Sequence, residues 1–164
     1  MSTDDKLEKC FRQGEKGERH KGLRRIEKSE ILAKGYLDKA IHNLRAMSDF
    51  QRIGYSDWSA SAAFYCLYHC LLALLAKEGY ESRNQSCTFA IAEKMIEKFS
   101  ITKEELKEIF DKDVTEGLQH SEKILDIREN IQYSIRTSLE EEEFKRLREK
   151  TKRLFDRLRK DIER

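Results

Sequence analysis

The segment RENIQY, at residues 128–133, carries four side-chain types that could bind a nucleotide. If it is helical, Gln132 lies one turn beyond Arg128 on the same side, and Asn130 lies on another face. Tyr133 is rotated by roughly 140° from the arginine at 3.6 residues per turn. Arg128 could bind a phosphate, and Asn130 or Gln132 a base or a ribose. Tyr133 could stack on a base or donate its hydroxyl.

A second group of candidates, Tyr65, Tyr68 and His69, lies in the long apolar stretch from residue 57 to residue 80. His69 could act as a general base or line a nucleotide pocket together with the two tyrosines. A buried polar group needs a hydrogen-bond partner, so His69 could equally be a core residue that bonds one carbonyl and one hydroxyl. The core interpretation is favoured.

Simpler interpretations also exist for the other candidates. Asp126 or Glu129 could form ordinary surface ion pairs with neighbouring cations, which would explain the RENIQY segment without a ligand. Cys66, His69 and Cys70 are of metal-binding types, but zinc takes four ligands and the sequence offers no second pair at a suitable spacing. We therefore predict neither a metal nor a cofactor.

The elements that position these residues are predicted to be helices. Charged residues make up 39% of the 164-residue chain and hydrophobic residues 38%, and proline is absent, as is typical of helical proteins. Helical periodicity covers 29–53, 57–79, 88–99, a short helix after 102, 114–135 and a last helix after 138. We predict an all-α fold: an antiparallel up-and-down bundle of four to five long helices plus short connecting helices.

Local signals mark where these helices begin and end. Ser82–Cys87 is predicted to be a polar connector, and Gly54 and Gly79 are predicted to end two helices. The predicted N-terminal caps are Ser29, Ser56, Thr102 in a capping box with Glu105, and Ser138 in a capping box with Glu141.

The chain is predicted to hold one bundle domain, at 29–164, after a charged N-terminal extension at 1–28. Residues 6–13 could form one short helix, and the glycines at positions 14, 17 and 22 predict a loop or a mobile arm over 14–22. The extension as a whole is expected to be solvated. No segment shows the alternation of a strand. The net charge of +2 does not by itself indicate nucleic-acid binding, so any basic surface must come from local clustering of lysines and arginines.

The four cysteines, at positions 10, 66, 70 and 87, include no CxxC pair, and we predict reduced, buried thiols. The N-terminus is charged and has no apolar segment typical of a signal peptide. The longest uninterrupted apolar run is too short to span a bilayer. These features predict a soluble, cytoplasmic protein that does not act at a membrane.

The stretch from Tyr36 to Tyr133 resembles the HEPN domain family, in particular its small stand-alone members. The matching segments are YLDKAIHNL at 36–44, GYSDWSASAAFYCLYHCLLALLAKEGYESRNQS at 54–86 and DIRENIQY at 126–133. The resemblance implies an antiparallel helical bundle, commonly a homodimer. It also implies a minimal nucleotidyltransferase as partner, in toxin–antitoxin or related pairs.

Ribonuclease members of the family carry an arginine followed, after four to six residues, by a histidine. Arg128 matches this arginine, but Tyr133 stands where the histidine would be. Tyrosine hydroxyls ordinarily ionise near pH ~10 and are poor bases at neutral pH. The resemblance therefore implies a non-catalytic accessory module that binds a nucleotide or RNA.

Two alternatives remain open from the sequence. The first is an endoribonuclease toxin with an altered active site that uses His69 or His120 across a dimer. The second is a structural dimerisation protein. This alternative is suggested by an apolar stripe at near-heptad spacing, from Phe144 to Leu158, which could pack on a second chain or on its own bundle.

Overall fold

The computed structural model describes residues 1–110 and 124–164, apart from the side chains of residues 125 and 126. The elements in these ranges are α1 Thr3–Gly14, β1 Leu23–Arg25, α2 Glu30–Arg52, α3 Ser56–Glu78, β2 Tyr80–Ser82, α4 Gln85–Lys94, a 3-10 helix Ile96–Lys98, α5 Lys103–Ile109, α6 Ile124–Gln132 and α7 Glu141–Glu163. The all-α prediction is confirmed. The first part of the predicted 114–135 helix, including His120, lies outside the described residues.

Helix α3 forms the centre of the bundle because it is apolar on nearly all sides. It packs against α2, α6 and α7. It ends, as predicted, at Gly79, which adopts φ 91°, a left-handed conformation that favours glycine. Among the described residues α3 is the one helix long and apolar enough to cross a membrane, and 89% of its most apolar window is buried inside the bundle. The apolar run thus serves as protein core.

Helix α7 lies along α3 and runs in the same direction. Near its start, the Leu139 N–H donates a hydrogen bond to the Ser56 hydroxyl at 2.7 Å. At its end, the Lys77 ammonium donates to the main-chain carbonyls of Asp161 and Ile162 in α7 and of Arg164, just beyond it. The stripe from Phe144 to Leu158 is buried within this same chain. It therefore packs on its own bundle and presents no free face to a second chain.

Two of the four predicted N-terminal caps are confirmed, those formed by Ser29 and by the Thr102–Glu105 box. The other two are wrong. Tyr55 occupies the cap of α3, and Ser56 is already helical, with its hydroxyl bonded to Leu139. The capping box of α7 is formed by Glu140 and Glu143 instead of Ser138 and Glu141. A carboxylate can accept the same backbone N–H as a serine hydroxyl, so sequence spacing alone did not distinguish the Glu140–Glu143 box from the predicted Ser138–Glu141 box.

The connector predicted at 82–87 is shorter than expected. Helix α4 begins at Gln85, with Asn84 as its N-cap; the Asn84 side-chain oxygen accepts the Cys87 N–H at 3.0 Å. The predicted helix over 88–99 is divided into α4 and the 3-10 helix at Met95, whose N–H bonds the carbonyls of both Ile91 and Ala92.

The N-terminal segment packs on the bundle: the predicted short helix at 6–13 is part of α1, and the expectation of a solvated extension is wrong. Helix α1 contacts α4, and β1 pairs antiparallel with β2. Leu7, Cys10 and Leu23 are buried in a second apolar cluster with Leu75 and Ile91. The sequence did not predict this packing, because three-residue strands are too short to show alternation. In addition, the contacts that bury Leu7, Cys10 and Leu23 join distant parts of the chain.

The prediction of four reduced thiols is wrong for Cys10 and Cys87, which form a disulfide between α1 and α4. Cys66 and Cys70 are free and buried, as expected. Burial raises the pKa of the Cys70 thiol well above its usual value. The disulfide removes the argument from reduced cysteines for a cytoplasmic location.

Candidate ligand-binding site

Arg128 on α6 places its guanidinium against the aromatic face of α3. The guanidinium carbon lies 4.8 Å from the centre of the Phe64 ring and 5.7 Å from that of Tyr65. The side chain is only 13% exposed. Cation–π attraction offsets part of the cost of removing the charge from water. These contacts hold the cation in a fixed position at the edge of the core.

The hydrogen-bonding capacity of this guanidinium is only partly used. Nη1 donates to the side-chain oxygen of Gln132 at 3.0 Å. Nη2 lies 3.9 Å from the nearer carboxylate oxygen of Glu129, too far for a hydrogen bond. Nε is shielded from solvent and has no hydrogen-bond partner among the described residues. A buried donor without a partner costs about 1–3 kcal/mol.

A cavity of about 400 Å³ opens beside Arg128, between α3, α6 and the loop after α6. This volume falls in the range of small-molecule sites, about 300–1,000 Å³. The lining residues are Asp57, Trp58, Ser61 and Tyr65 from α3, and Arg128, Ile131, Gln132, Ser134 and Arg136 from α6 and the following loop.

The charges around the cavity are not equally available to a ligand. Arg136 forms a two-point ion pair with Glu143 on α7. This pair lowers the pKa of the Glu143 carboxyl and keeps both partners charged. Arg128 has no comparably close carboxylate among the described residues. The cavity therefore offers one cation for a ligand, together with the carboxylate of Asp57 and the indole of Trp58, which is 57% exposed.

The structure brings three of the predicted site residues together: Arg128, Gln132 and Tyr65 all line the cavity. Asn130 and Tyr133 do not line it, and the Tyr133 side chain is 82% exposed to solvent.

Tyr68 is a core residue. Its hydroxyl bonds the Thr88 hydroxyl at 3.1 Å, and burial raises its pKa. Its ring stacks on Phe64, with ring centres 5.9 Å apart.

His69 is also held within the bundle and does not line the cavity. Its Nδ1–H donates to the Tyr65 carbonyl at 2.6 Å, and burial lowers its pKa. Its ring lies 6.2 Å from that of Tyr36 on α2. This arrangement is the core arrangement favoured from the sequence, with the carbonyl as the observed acceptor.

The sequence reasoning missed Trp58, Asp57, Ser61 and the loop residues Ser134 and Arg136. A usable signal was present in α3. Trp58, Ser61 and Tyr65 are spaced three and four residues apart, so they share one helix face. Trp58 in this row is large, aromatic and not buried by the core, so it indicates an exposed aromatic surface on this face of α3. The loop residues carry no such signal, because only the packing of α6 on α3 brings them to the cavity.

The fold and the cavity define a small all-α bundle with a cavity beside a cation between two of its helices. A family model for the HEPN domain matches residues 33–161. The chain belongs to the HEPN domain family, which confirms the resemblance found in the sequence. Membership supports a nucleotide- or RNA-related module in general. No curated protein matches the chain.

Proposed function

We propose that this HEPN domain is a non-catalytic accessory module that binds a nucleotide or RNA in the cavity beside Arg128. One observation carries the proposal: a guanidinium packed on two aromatic rings, with unused donors, borders a cavity that also contains an exposed indole. Arginine donors suit phosphate oxygens, and an exposed aromatic face suits a nucleobase.

Neighbouring side chains complement these two contacts. The side-chain oxygen of Gln132 accepts from Arg128, which leaves its amide N–H groups able to donate to a base or a ribose. Asp57 can accept from the amino or imino groups of a base. Together these groups satisfy both the anionic and the polar parts of a single nucleotide.

The lining of the cavity supports binding without catalysis. Cleavage of RNA needs a group that takes a proton from the ribose 2′-hydroxyl. The described lining includes no histidine. His69 is engaged with a backbone carbonyl inside the bundle, and the exposed Tyr133 hydroxyl lies outside the lining.

We also propose a homodimer and a minimal nucleotidyltransferase partner in a toxin–antitoxin-like pair. Exposed apolar residues near the cavity support a protein interface there. Tyr55 precedes the cavity segment of α3, while Tyr133 and Ile135 flank Ser134. Exposed apolar residues that cluster on a surface often mark a protein interface.

Calorimetry with nucleoside monophosphates and a short single-stranded RNA tests the proposal. We expect the wild type to bind, and Arg128→Ala to weaken binding by about ten- to a hundredfold, the effect of losing charged hydrogen bonds worth about 1.5–3 kcal/mol. Arg128→Lys keeps the charge but loses the planar fork, so it should bind at an intermediate level.

Arg157→Ala is the matched control, since this exposed arginine pairs with Glu105 on α5 and should leave affinity unchanged. No binding by the wild type, or equal affinity in Arg128→Ala, would refute the proposed site. Cleavage of the RNA by the wild type that is lost in Arg128→Ala would replace it with a ribonuclease.

A further inference from the structure

A second cleft, with a volume of about 540 Å³, lies between the C-terminal half of α2 and the first half of α7. Three exposed cations line it, Arg45 from α2 and Arg148 and Lys152 from α7. Leu44 and Met47 contribute its apolar part. The cleft thus combines a small apolar part with positive charge from two helices.

These three cations have no carboxylate partner among the residues that the structure describes. Arg148 contacts the Phe144 ring, with its guanidinium carbon 5.7 Å from the ring centre. The one carboxylate in the lining, Asp49, is bonded to Arg52 at 2.7 Å. The charge of the cleft is therefore left for an external anion.

Three other arginines of α7 differ in this respect. Arg153 pairs with Glu108 at 3.3 Å and Arg157 with Glu105, both on α5, while Arg159 pairs with Glu163 at 2.8 Å. Arg148 and Lys152 are one turn apart, and like charges at this spacing destabilise a helix. Arg148 and Lys152, by contrast, line the cleft without an ion-pair partner among the described residues.

The cleft and the Arg128 cavity flank the same end of the bundle. The ion pair between Arg136, which lines the cavity, and Glu143 in the first turn of α7 joins the two regions. Arg148 lies little more than one turn beyond Glu143. A mononucleotide would fill the cavity alone, whereas a longer strand can also reach the cleft.

We propose that the α2–α7 cleft binds backbone phosphates of single-stranded RNA whose terminal or flipped nucleotide occupies the Arg128 cavity. The inference rests on the proposed function and deepens it, since it selects RNA over a free nucleotide. Arginine and lysine side chains one turn apart present donors at a spacing that successive phosphates of a flexible strand can match.

Fluorescence anisotropy with a labelled oligouridylate, beside calorimetry with UMP, tests this inference. The cleft variant is Arg45→Ala/Arg148→Ala/Lys152→Ala. The control variant, Arg153→Ala/Arg157→Ala/Arg159→Ala, removes the same charge from exposed positions that already have partners. Thermal unfolding of both variants checks that they are folded.

We expect the cleft variant to lose about tenfold or more in RNA affinity at low salt. Its slope of log affinity against log salt should fall by about 2, because each single-strand phosphate contact contributes about 0.7. Affinity for UMP should not change, and the control variant should bind RNA like the wild type. The charge-preserving variant Arg45→Lys/Arg148→Lys should retain most of the RNA affinity of the wild type.

Three results would overturn the inference while the proposed function stands: wild-type RNA affinity in the cleft variant, equal losses in both triple variants, or a wild type that binds UMP as tightly as RNA. Tighter binding of polyglutamate than of oligouridylate, lost in the cleft variant, would assign the cleft to an acidic polypeptide and also overturn it. Failure of the wild type to bind either UMP or RNA would refute the proposed function itself.

Discussion

Removal of the Cys10–Cys87 disulfide should destabilise the protein chiefly through its unfolded chain. The bond joins residues 77 positions apart. Closing a loop of that length removes unfolded-state entropy equivalent to about 4.5 kcal/mol at 25 °C, and measured effects usually fall between about 2 and 4 kcal/mol. Both residues are buried, and alanine removes the two sulfur atoms without adding a polar group. We therefore expect Cys10→Ala/Cys87→Ala to lower the free energy of unfolding by about 2–4.5 kcal/mol.

Urea denaturation followed by circular dichroism measures this loss. A phosphine reductant should lower the midpoint of the wild type to near that of the double variant. The reductant should not change the midpoint of the double variant, whose remaining cysteines, Cys66 and Cys70, are free thiols. Equal unfolding free energies for the oxidised wild type and the variant would refute the reasoning. So would titration of four thiols in denatured protein purified without reductant.

Two further predictions concern the core. Burial depresses the folded-state pKa of His69, so the unfolded chain binds more protons, and the wild type should lose stability as pH falls through the unfolded value near 6.5. His69→Gln should flatten this pH dependence in urea denaturation measured from pH 8 to 5. An unchanged pH dependence in the variant would contradict the burial of His69. Leu154 is fully buried between α7 and the bundle, so Leu154→Ala should cost about 2–5 kcal/mol in unfolding free energy. Light scattering should give the same mass for this variant as for the wild type; a shift to a smaller species would show that the stripe also holds an assembly together.

Part of the candidate site could be read from the sequence. Arg128 and Gln132 are one helical turn apart, so their shared side follows from helix geometry alone. That Tyr65 joins them, while Tyr68 three residues later turns into the core, depends on which face of α3 meets α6. Burial on nearly every side of α3 weakens the periodic contrast between its faces, so only the row of Trp58, Ser61 and Tyr65 hinted at that choice.

The sequence by itself determined the helices and several of their ends, including the Ser29 cap, the Thr102–Glu105 box and the stop at Gly79. These features depend on interactions within a few residues, which composition and spacing record directly. Tertiary structure alone decided the Cys10–Cys87 bond, the two short strands and the meeting of Trp58 with Arg128. Each joins segments far apart in the chain, and contacts of that kind leave no local pattern because they form only when the bundle packs.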